Sequence, residues 1–200
     1  MPAQISLLHA TYRAGSDAVA VRNAWFERAC MPDLVEHIFA VDADDEQTLN
    51  ATRDYRRVVN PASPDRVSAV RNWNSAAASA RGHLLFVIAD DLFPPEDWDL
   101  TLKEIVGNID PDRFAFAISV ADEEEGPWLM RHPVVSRKFY SKFGLFGPEF
   151  DGLYCDDDIT LRAYNYAVVL DGKRLKLEHR HPTVGNFGWS QSQTLSLIHI

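Results

Sequence analysis

Short apolar runs alternate along this chain with longer segments in which apolar residues recur every three or four positions. The first pattern is typical of buried strands and the second of amphipathic helices. Together they predict strands over residues 4–10, 36–41, 57–59, 83–89 and 114–120, and helices over 16–30, 46–55, 68–80 and 98–106. Because strands that alternate with helices of this length favour a mainly parallel sheet covered on both faces, we expect an α/β fold.

The second half of the chain is less regular. Residues 122–127 are mostly acidic and indicate an exposed loop, and residues 133–143 indicate a helix or a turn. A break that contains glycine and proline, at 144–148, precedes a helix that begins near Asp156. At the other end of the chain, Ser16 or Asp17 is a suitable N-cap for the first helix.

Polar and acidic residues follow three of the predicted strands, at Thr11–Arg13, Asp42–Asp44 and Asp90–Asp91. Right-handed crossovers place the carboxyl ends of parallel strands along one edge of the sheet, which is where open α/β sheets bind ligands. Two adjacent carboxylates are costly to hold unless a cation or a hydrogen-bonding ligand shares their charge. We therefore expect Asp90 and Asp91 to form part of a metal and nucleotide site. The alternative is a polar strand end whose aspartates cap the next helix.

Two more polar clusters lie late in the chain. Asp156, Asp157 and Asp158 open a predicted helix, where carboxylates interact favourably with the free N–H groups and with the helix dipole. Capping needs only one of the three, so the others are candidates for chemistry. His179 and His181 lie just before a proline, and they are either metal ligands or surface histidines beside a turn.

Composition narrows the class of protein. A chain of 200 residues with 46% hydrophobic residues fits one domain with a sizeable core. The net charge of −9 argues against a general nucleic-acid binder. Cys30 and Cys155 lie too far apart in sequence for a CxxC pair and predict neither a zinc site nor a disulfide framework, which favours a reducing compartment. With no secretory signal pattern and no apolar run near 20 residues, we expect a cytoplasmic protein without a transmembrane segment.

Five stretches together resemble, in order and spacing, motifs of the inverting family 2 glycosyltransferases, which have the GT-A fold: Thr11–Arg13, Asp42–Asp44, Val70–Asn74, Phe86–Asp91 and Cys155–Arg162. The histidines at 179 and 181 lie where many members have a late metal-binding histidine. The resemblance covers about residues 5–182. Ile88 stands where the DxD motif of the family has its first aspartate, and Cys155 stands where an acidic residue commonly precedes the catalytic base.

The resemblance implies roles in metal binding and catalysis. The metal, Mn²⁺ or Mg²⁺, would be held by aspartate and histidine, with these candidates: Asp91, Asp90, His181 and His179. A histidine beside carboxylates favours Mn²⁺ over Mg²⁺. Asp156 is the first candidate for the catalytic base, followed by Asp158 and Asp157. Because neighbours on a helix diverge by about 100°, the three cannot all face one pocket.

The resemblance also implies a set of positions that bind the nucleotide-sugar: Thr11, Arg13, Asp42, Asp44, Arg71 and Asp90. Asp42 and Asp44 would accept hydrogen bonds from the base, which suits uracil, or they simply form the turn after a strand. Arg71 would contact ribose or phosphate, or it is an exposed helix arginine.

The implied activity is the metal-dependent transfer of a sugar from a nucleotide-sugar to a hydroxyl of a glycan or another acceptor, with inversion at the sugar. The resemblance favours a UDP-linked donor. A nucleotidyltransferase is disfavoured because the loop after the first strand has only Gly15. A non-catalytic nucleotide- or glycan-binding domain of the same fold stays open because of Ile88.

We expect one domain over 1–194, with a nucleotide-binding half at about 1–92 and an acceptor half at about 93–182. Residues 195–200 resemble a translated sequencing adaptor and are expected to be a non-native tail, the alternative being a native terminal strand.

Overall fold

The computed structural model describes residues 4–62, 68–122 and 128–180, and the expected tail at 195–200 lies outside them. The elements in chain order are β1 (Ile5–Ala10), α1 (Ser16–Glu27), a 3-10 turn (Pro32–Leu34), β2 (Val35–Asp42), α2 (Glu46–Ala51), β3 (Arg57–Asn60), α3 (Ala69–Ser79), β4 (Leu84–Ile88), β5 (Leu92–Phe93), α4 (Trp98–Val106), β6 (Phe116–Ala121), β7 (Val134–Ser136), α5 (Arg137–Phe143), α6 (Cys155–Tyr166), β8 (Val168–Lys176) and β9 (Glu178–His179). Among the helices of these ranges, none has the length and apolar character that a membrane span requires.

The central sheet has seven strands in the order β3-β2-β1-β4-β7-β6-β8. The first four strands are mutually parallel, β7 runs antiparallel to both of its neighbours, and β8 is parallel to β6. All strands except β7 therefore point the same way. The predicted α/β fold with a mainly parallel sheet is confirmed.

Helices cover both faces of the sheet because each central strand is apolar on both sides. Alternate residues of β4 enter two different core clusters, with Phe86 and Ile88 on one face and Leu85 and Val87 on the other. On the first face they pack with residues of α1 and α4, including Trp25, Trp98 and Leu102. On the second face the cluster contains residues of α3, α5 and α6, including Ala76, Phe139 and Ile159.

The strand ends converge as the parallel order requires. β1 lies between β2 and β4, so the segments that follow these three strands leave the same edge of the sheet side by side. These are the segments that begin at Thr11, Asp42 and Ala89. The expected gathering of polar residues from distant parts of the chain is therefore present at this edge.

Residues 133–143 form two elements rather than one helix or turn. Val134–Ser136 is a strand between β4 and β6, and Arg137–Phe143 is a helix. Ser136 separates them, since its Oγ accepts from the N–H of Phe139 at 3.0 Å as the N-cap of α5. The same hydroxyl accepts from the N–H of Phe116 on β6 at 3.0 Å.

The first helix is capped differently from the expectation. Neither Ser16 nor Asp17 is the N-cap; Gly15 holds that position with a φ of 54°. Its N–H donates to Thr48 Oγ1 at 3.0 Å, and a Cβ at this glycine would meet Gln47 Nε2 at 2.5 Å. The positive φ favours glycine here, and a Cβ would in addition displace the side chain of Gln47.

A small second sheet brings the end of the described chain to the carboxyl edge. β5 and β9 pair antiparallel, with Leu92 opposite His179. β5 follows β4 directly, so this pairing carries the expected metal-binding histidine region next to Asp90 and Asp91.

Candidate functional site

Asp42 ends β2 and is paired by the arginine of α3. Its carboxylate is only 2% exposed, and Arg71 Nη2 donates to its Oδ1 at 2.8 Å. The helix start sets this geometry, because Ser68 Oγ accepts from the N–H of Arg71 at 3.1 Å as the N-cap of α3. A buried carboxylate needs such a partner. Arg71 is therefore tied into the strand edge, whereas Asp44, two residues beyond Asp42, is exposed.

The loop after β1 is held against α2 by a carboxylate that the sequence analysis missed. Arg13 has a φ of 54°, and its N–H donates to the carboxylate of Asp45. Asp45 also caps α2 by accepting from the N–H of Thr48 at 3.1 Å. An aspartate directly before a helix is a usual N-cap, so the sequence carried this signal. Thr11 is 2% exposed, and its hydroxyl has no hydrogen-bond partner among the described residues.

Asp90 is held by a buried pair of histidines. His9 Nε2 lies 2.9 Å from Asp90 Oδ1, and His9 Nδ1 lies 3.0 Å from His37 Nε2. Burial, together with the charges of His9 and Arg22, holds the pKa of His37 well below its usual range. The two contacts form one chain of ring nitrogens that starts at His37, passes through His9 and ends on the carboxylate of Asp90. The sequence analysis did not use these histidines, although their inward positions on neighbouring strands were a signal.

Asp91 contacts the β9 segment through its main chain and its side chain. Its carbonyl oxygen accepts from the N–H of Arg180 at 2.8 Å, and its Oδ1 lies 3.5 Å from His179 Nε2. The structure thus brings together two of the four residues expected to bind metal. Of the other two, Asp90 is paired with His9, and His181 lies outside the described residues.

A cluster of possible metal ligands lies at the same edge. Asp122, His132 and His179 each offer one ligand atom, and these atoms all lie within 4.8 Å of one another. His132 is 8% exposed, and neither ring nitrogen has a hydrogen-bond partner among the described residues. Burial first, and electrostatic repulsion between the two imidazoles of His132 and His179 second, lower the pKa of His132 to about 4. Two neutral imidazoles and a carboxylate are a donor set that fits a divalent transition metal.

Neither Asp122 nor His132 was predicted from the sequence to be a site residue. Asp122 directly follows β6, so it is a further acidic strand end, but its place at the start of an acidic run made it resemble an exposed loop. His132 precedes β7, a strand that the sequence analysis did not predict. Recognising β7 would have placed His132 at the sheet, which was the signal available.

The three aspartates of α6 have different surroundings. Asp158 accepts from Arg162 at Nε (2.9 Å) and at Nη2 (2.5 Å). Arg162 also donates to the carbonyl oxygens of Phe143 and Leu145, so this ion pair fastens α6 to the segment after α5. The N-cap residue of this helix is Tyr154, which makes no side-chain cap bond, and Asp156 instead accepts from the free N–H of Asp157 in the first turn.

Asp156 is partly buried, and burial raises its pKa above the usual range, with the negative charge of Asp157 adding to the effect. Hydrogen bonds from N–H groups of its own turn oppose the rise; one of them runs from the N–H of Asp157 to its Oδ1 at 3.1 Å. The carboxyl of Asp156 therefore has the kind of perturbed acidity found at functional sites.

Arg131 connects Asp156 to the histidine and aspartate cluster. Its Nη1 donates to Asp122 Oδ1 at 3.0 Å, and its charge acts to lower the pKa of Asp156. The segment that carries Arg131 is fixed to α6, because Thr160 Oγ1 accepts from the N–H of Met130 at 3.0 Å. A chain of neighbouring groups therefore runs from Asp91 through His179 and Asp122 to Arg131, and the charge of Arg131 acts in turn on Asp156.

Cys155, which precedes these aspartates, is not a nucleophile in this environment. Its Sγ donates to the carbonyl oxygen of Gly152 at 2.9 Å, and burial raises the pKa of the thiol to about 12.

No protein-family model matches the sequence, and no curated protein sequence is significantly similar to it. Solved structures share its fold. TarS of S. aureus (residues 1–349) matches with a TM-score of 0.68 and 15% identity, over 90% of this chain and 61% of that one. TarS in complex with UDP-GlcNAc matches with a TM-score of 0.65 and 14% identity, over 88% of this chain and 58% of that one.

A mannosyltransferase, PcManGT from Pyrobaculum calidifontis in complex with GDP-Man and Mn²⁺, matches with a TM-score of 0.65 and 15% identity, over 92% of this chain and 58% of that one. This chain thus spans about three fifths of the length of these proteins. Its mixed α/β architecture, with seven mostly parallel strands between helices, is the GT-A-like fold of these structures.

Proposed function

We propose that this protein is a glycosyltransferase that uses a nucleotide-sugar donor and a divalent metal, and that it transfers the sugar with inversion to an acceptor hydroxyl. The observation that carries the proposal is the cluster of metal donors, Asp122, His132 and His179, which lies beside Asp91 and is paired with Arg131. The charge of the same arginine acts on Asp156, a partly buried carboxyl of raised pKa. The structures of TarS with UDP-GlcNAc and of PcManGT with GDP-Man and Mn²⁺ support this choice of ligands.

The nucleotide would bind at the ends of β1, β2 and β4. Asp42, oriented by Arg71, would accept from the base, and the second oxygen of Asp90 would meet the ribose while His9 holds the first. The backbone around Thr11 and Arg13 would line the same cleft. We favour UDP over GDP because a carboxylate acceptor suits the N–H of uracil. This assigns about residues 1–92 to the nucleotide and about 93–182 to the acceptor.

The leaving diphosphate would lie beside Asp91 and His179, next to Asp122 and His132. A divalent cation bound there would supply positive charge where the leaving group gains negative charge. Arg131 would remain bound to Asp122 and add its own charge from the acceptor side.

Asp156 would act as the general base. Its carboxylate would take the proton of the acceptor hydroxyl while that oxygen bonds to the anomeric carbon. The bond from this carbon to the diphosphate oxygen would break, and its electron pair would leave with the diphosphate. Attack from the opposite face inverts the anomeric centre. A raised pKa suits this task, since a general base works best when its pKa approaches the operating pH.

We assign the base to Asp156 rather than to Asp158, which the sequence analysis also named as catalytic. Asp158 is neutralised by the two donors of Arg162, and this ion pair gives it a positioning role. Asp44 is exposed, and Asp45 makes the contacts to the first loop instead, so we give Asp44 at most an outer contact to the nucleotide.

Donor hydrolysis tests the proposal without a known acceptor. Incubation with UDP- and GDP-sugars should release nucleoside diphosphate with Mn²⁺ and not with EDTA. Asp156→Asn should abolish transfer but keep nucleotide binding, and Asp157→Asn serves as the matched control on the same helix turn. Absence of both binding and hydrolysis for every donor would refute the proposal.

A non-catalytic nucleotide-binding domain is the second candidate. Ile88, at the first position of the DxD-like motif, is fully buried, and Cys155, at the usual acidic position before the base, is a protonated thiol. Nucleotide binding with no hydrolysis or transfer by any donor would favour this candidate.

A further inference from the structure

We propose that Asp122, His132 and His179 form a preformed centre for a transition-metal ion such as Mn²⁺ or Zn²⁺, which binds to this chain before any nucleotide does. The inference deepens the proposed function, but it concerns metal binding alone. Its new ligands are Asp122 and His132, which belong to none of the motifs that the sequence analysis matched.

The three ligand atoms lie close enough together to share one ion. They come from the end of β6, the segment before β7 and strand β9, and all lie within 4.8 Å of one another. Metal bonds of about 2.0–2.2 Å to histidine nitrogen and carboxylate oxygen place three donors around one ion roughly 3.4–3.6 Å apart. Shifts of up to about 0.7 Å in each donor atom, which rotation of these side chains can supply, would therefore close the site.

The state of His132 supports the same conclusion. It is 8% exposed, and neither of its ring nitrogens has a hydrogen-bond partner among the described residues. Buried polar groups in proteins are nearly always partnered, so an exception needs an explanation. Its ring meets that of His179 edge to face, with centroids 5.2 Å apart and an angle of 85°. A metal ion between the two imidazoles would give His132 its missing partner.

Neighbouring groups hold the three ligand residues in place. Arg131 Nη1 holds Asp122 Oδ1 at 3.0 Å, and Asp91 Oδ1 faces His179 Nε2 at 3.5 Å. Outer groups of this kind orient metal ligands. His132 is fixed at both sides along the chain, because the N–H of Met130 bonds Thr160 Oγ1 and the carbonyl oxygen of Pro133 accepts from Val87.

The donor set selects the metal and the order of binding. Two imidazoles with one carboxylate suit Mn²⁺, Zn²⁺ and Co²⁺, whereas Mg²⁺ prefers oxygen ligands and keeps its water. Three protein ligands can hold an ion without help from a diphosphate. The centre should therefore bind Zn²⁺ or Mn²⁺ in the absence of nucleotide.

Isothermal titration of the chelator-treated protein with ZnCl₂, MnCl₂ and MgCl₂, without nucleotide, tests this inference. We expect one Zn²⁺ or Mn²⁺ ion per chain, and binding of Mg²⁺ weaker by about 100-fold or more, given the ligand preferences above. His132→Gln and Asp122→Asn should each weaken Zn²⁺ binding by about 100-fold or more, because loss of an outer-shell partner alone typically costs about 10- to 100-fold. His83→Gln is the control, because His83 pairs with Asp112 at 2.7 Å, outside the cluster.

A second readout needs no variant. Substoichiometric Mn²⁺ should broaden the ring proton signals of His132 and His179 in the NMR spectrum before those of His83. Binding that is unchanged in both ligand variants, an equal affinity for Mg²⁺, or no binding until a nucleotide is added would overturn the inference. Because donor hydrolysis is not measured here, these outcomes are separate from failure of the proposed transferase activity.

Discussion

Replacement of Asp158 by asparagine tests whether this residue acts in structure or in catalysis. Its Oδ2 accepts from Nε and Nη2 of Arg162, at 2.9 and 2.5 Å, and the same guanidinium holds the carbonyl oxygens of Phe143 and Leu145. Asparagine keeps one acceptor oxygen but removes the charge. The variant should therefore loosen the attachment of α6 without touching the proposed chemistry.

The size of the effect follows from the burial of the pair. Hydrogen bonds to charged groups contribute about 1.5–3 kcal/mol, and exposed ion pairs about 0.2–1 kcal/mol. The side chains of Arg162 and Asp158 are 20% and 26% exposed, so the pair lies between these cases. We expect Asp158→Asn to lower the free energy of unfolding by about 1–2 kcal/mol, which corresponds to a drop in Tm of roughly 2–8 °C for a chain of this size.

Asp156→Asn should give the opposite result. Burial raises the pKa of this carboxyl, so the folded state disfavours its charged form. Any stability linked to this group is present at low pH and is lost as the pH rises through the raised pKa. A neutral asparagine should therefore leave the free energy of unfolding at pH 7 unchanged or slightly higher. Donor turnover should fall by about 10²- to 10⁴-fold, the usual contribution of a general base.

Urea denaturation and donor hydrolysis, measured on both variants and on Asp157→Asn, decide between the two roles. The reasoning is refuted if Asp158→Asn loses turnover at unchanged stability, or if Asp156→Asn keeps full turnover. Asp157→Asn should keep the stability and the turnover reached at high pH, because its side chain is assigned to neither role; loss of its charge should only lower the pKa of Asp156.

The remaining predictions concern pH, nucleotide binding and stability. Donor turnover should rise with pH along a limb that lies above the ordinary carboxyl pKa of about 4, because Asp156 must lose its proton, and pH profiles should show no such limb in the residual activity of Asp156→Asn. His9→Leu should weaken UDP binding by about 10-fold in calorimetric titrations, since Asp90 loses the hydrogen bond that orients it, and unchanged affinity would contradict this. Arg71→Met should lower the free energy of unfolding in urea by about 2–4 kcal/mol, because it leaves the buried carboxylate of Asp42 unpaired; a change below about 0.5 kcal/mol would show that the pair is not needed.

The parallel part of the sheet could be predicted from the sequence because each of its strands is a short apolar run and each crossover is a helix. The same logic placed Thr11, Asp42 and Asp90 at one edge, as observed. β7 was not predicted, since Val134–Ser136 is only three residues long and becomes a strand through pairing with β4 and β6. Such pairing depends on residues far away in sequence, which local periodicity does not report.

The candidate site was only partly predictable for related reasons. Asp122 and His132 meet His179 through three separate elements, and nothing in the local sequence of any one of them indicates the other two. The different roles of Asp156 and Asp158 could have been inferred from the sequence. Asp158 and Arg162 are four residues apart on a helix, a spacing that favours an ion pair, and this signal would have removed Asp158 from the candidates for the base.

A crystal structure with UDP and Mn²⁺, with the ion identified by its anomalous signal, tests the central claim most directly. We expect the ion to bind among Asp122, His132 and His179, with the diphosphate beside Asp91 and the uracil near Asp42. An ion or a diphosphate bound away from the carboxyl edge of the sheet, or at that edge but distant from both histidines, would contradict it.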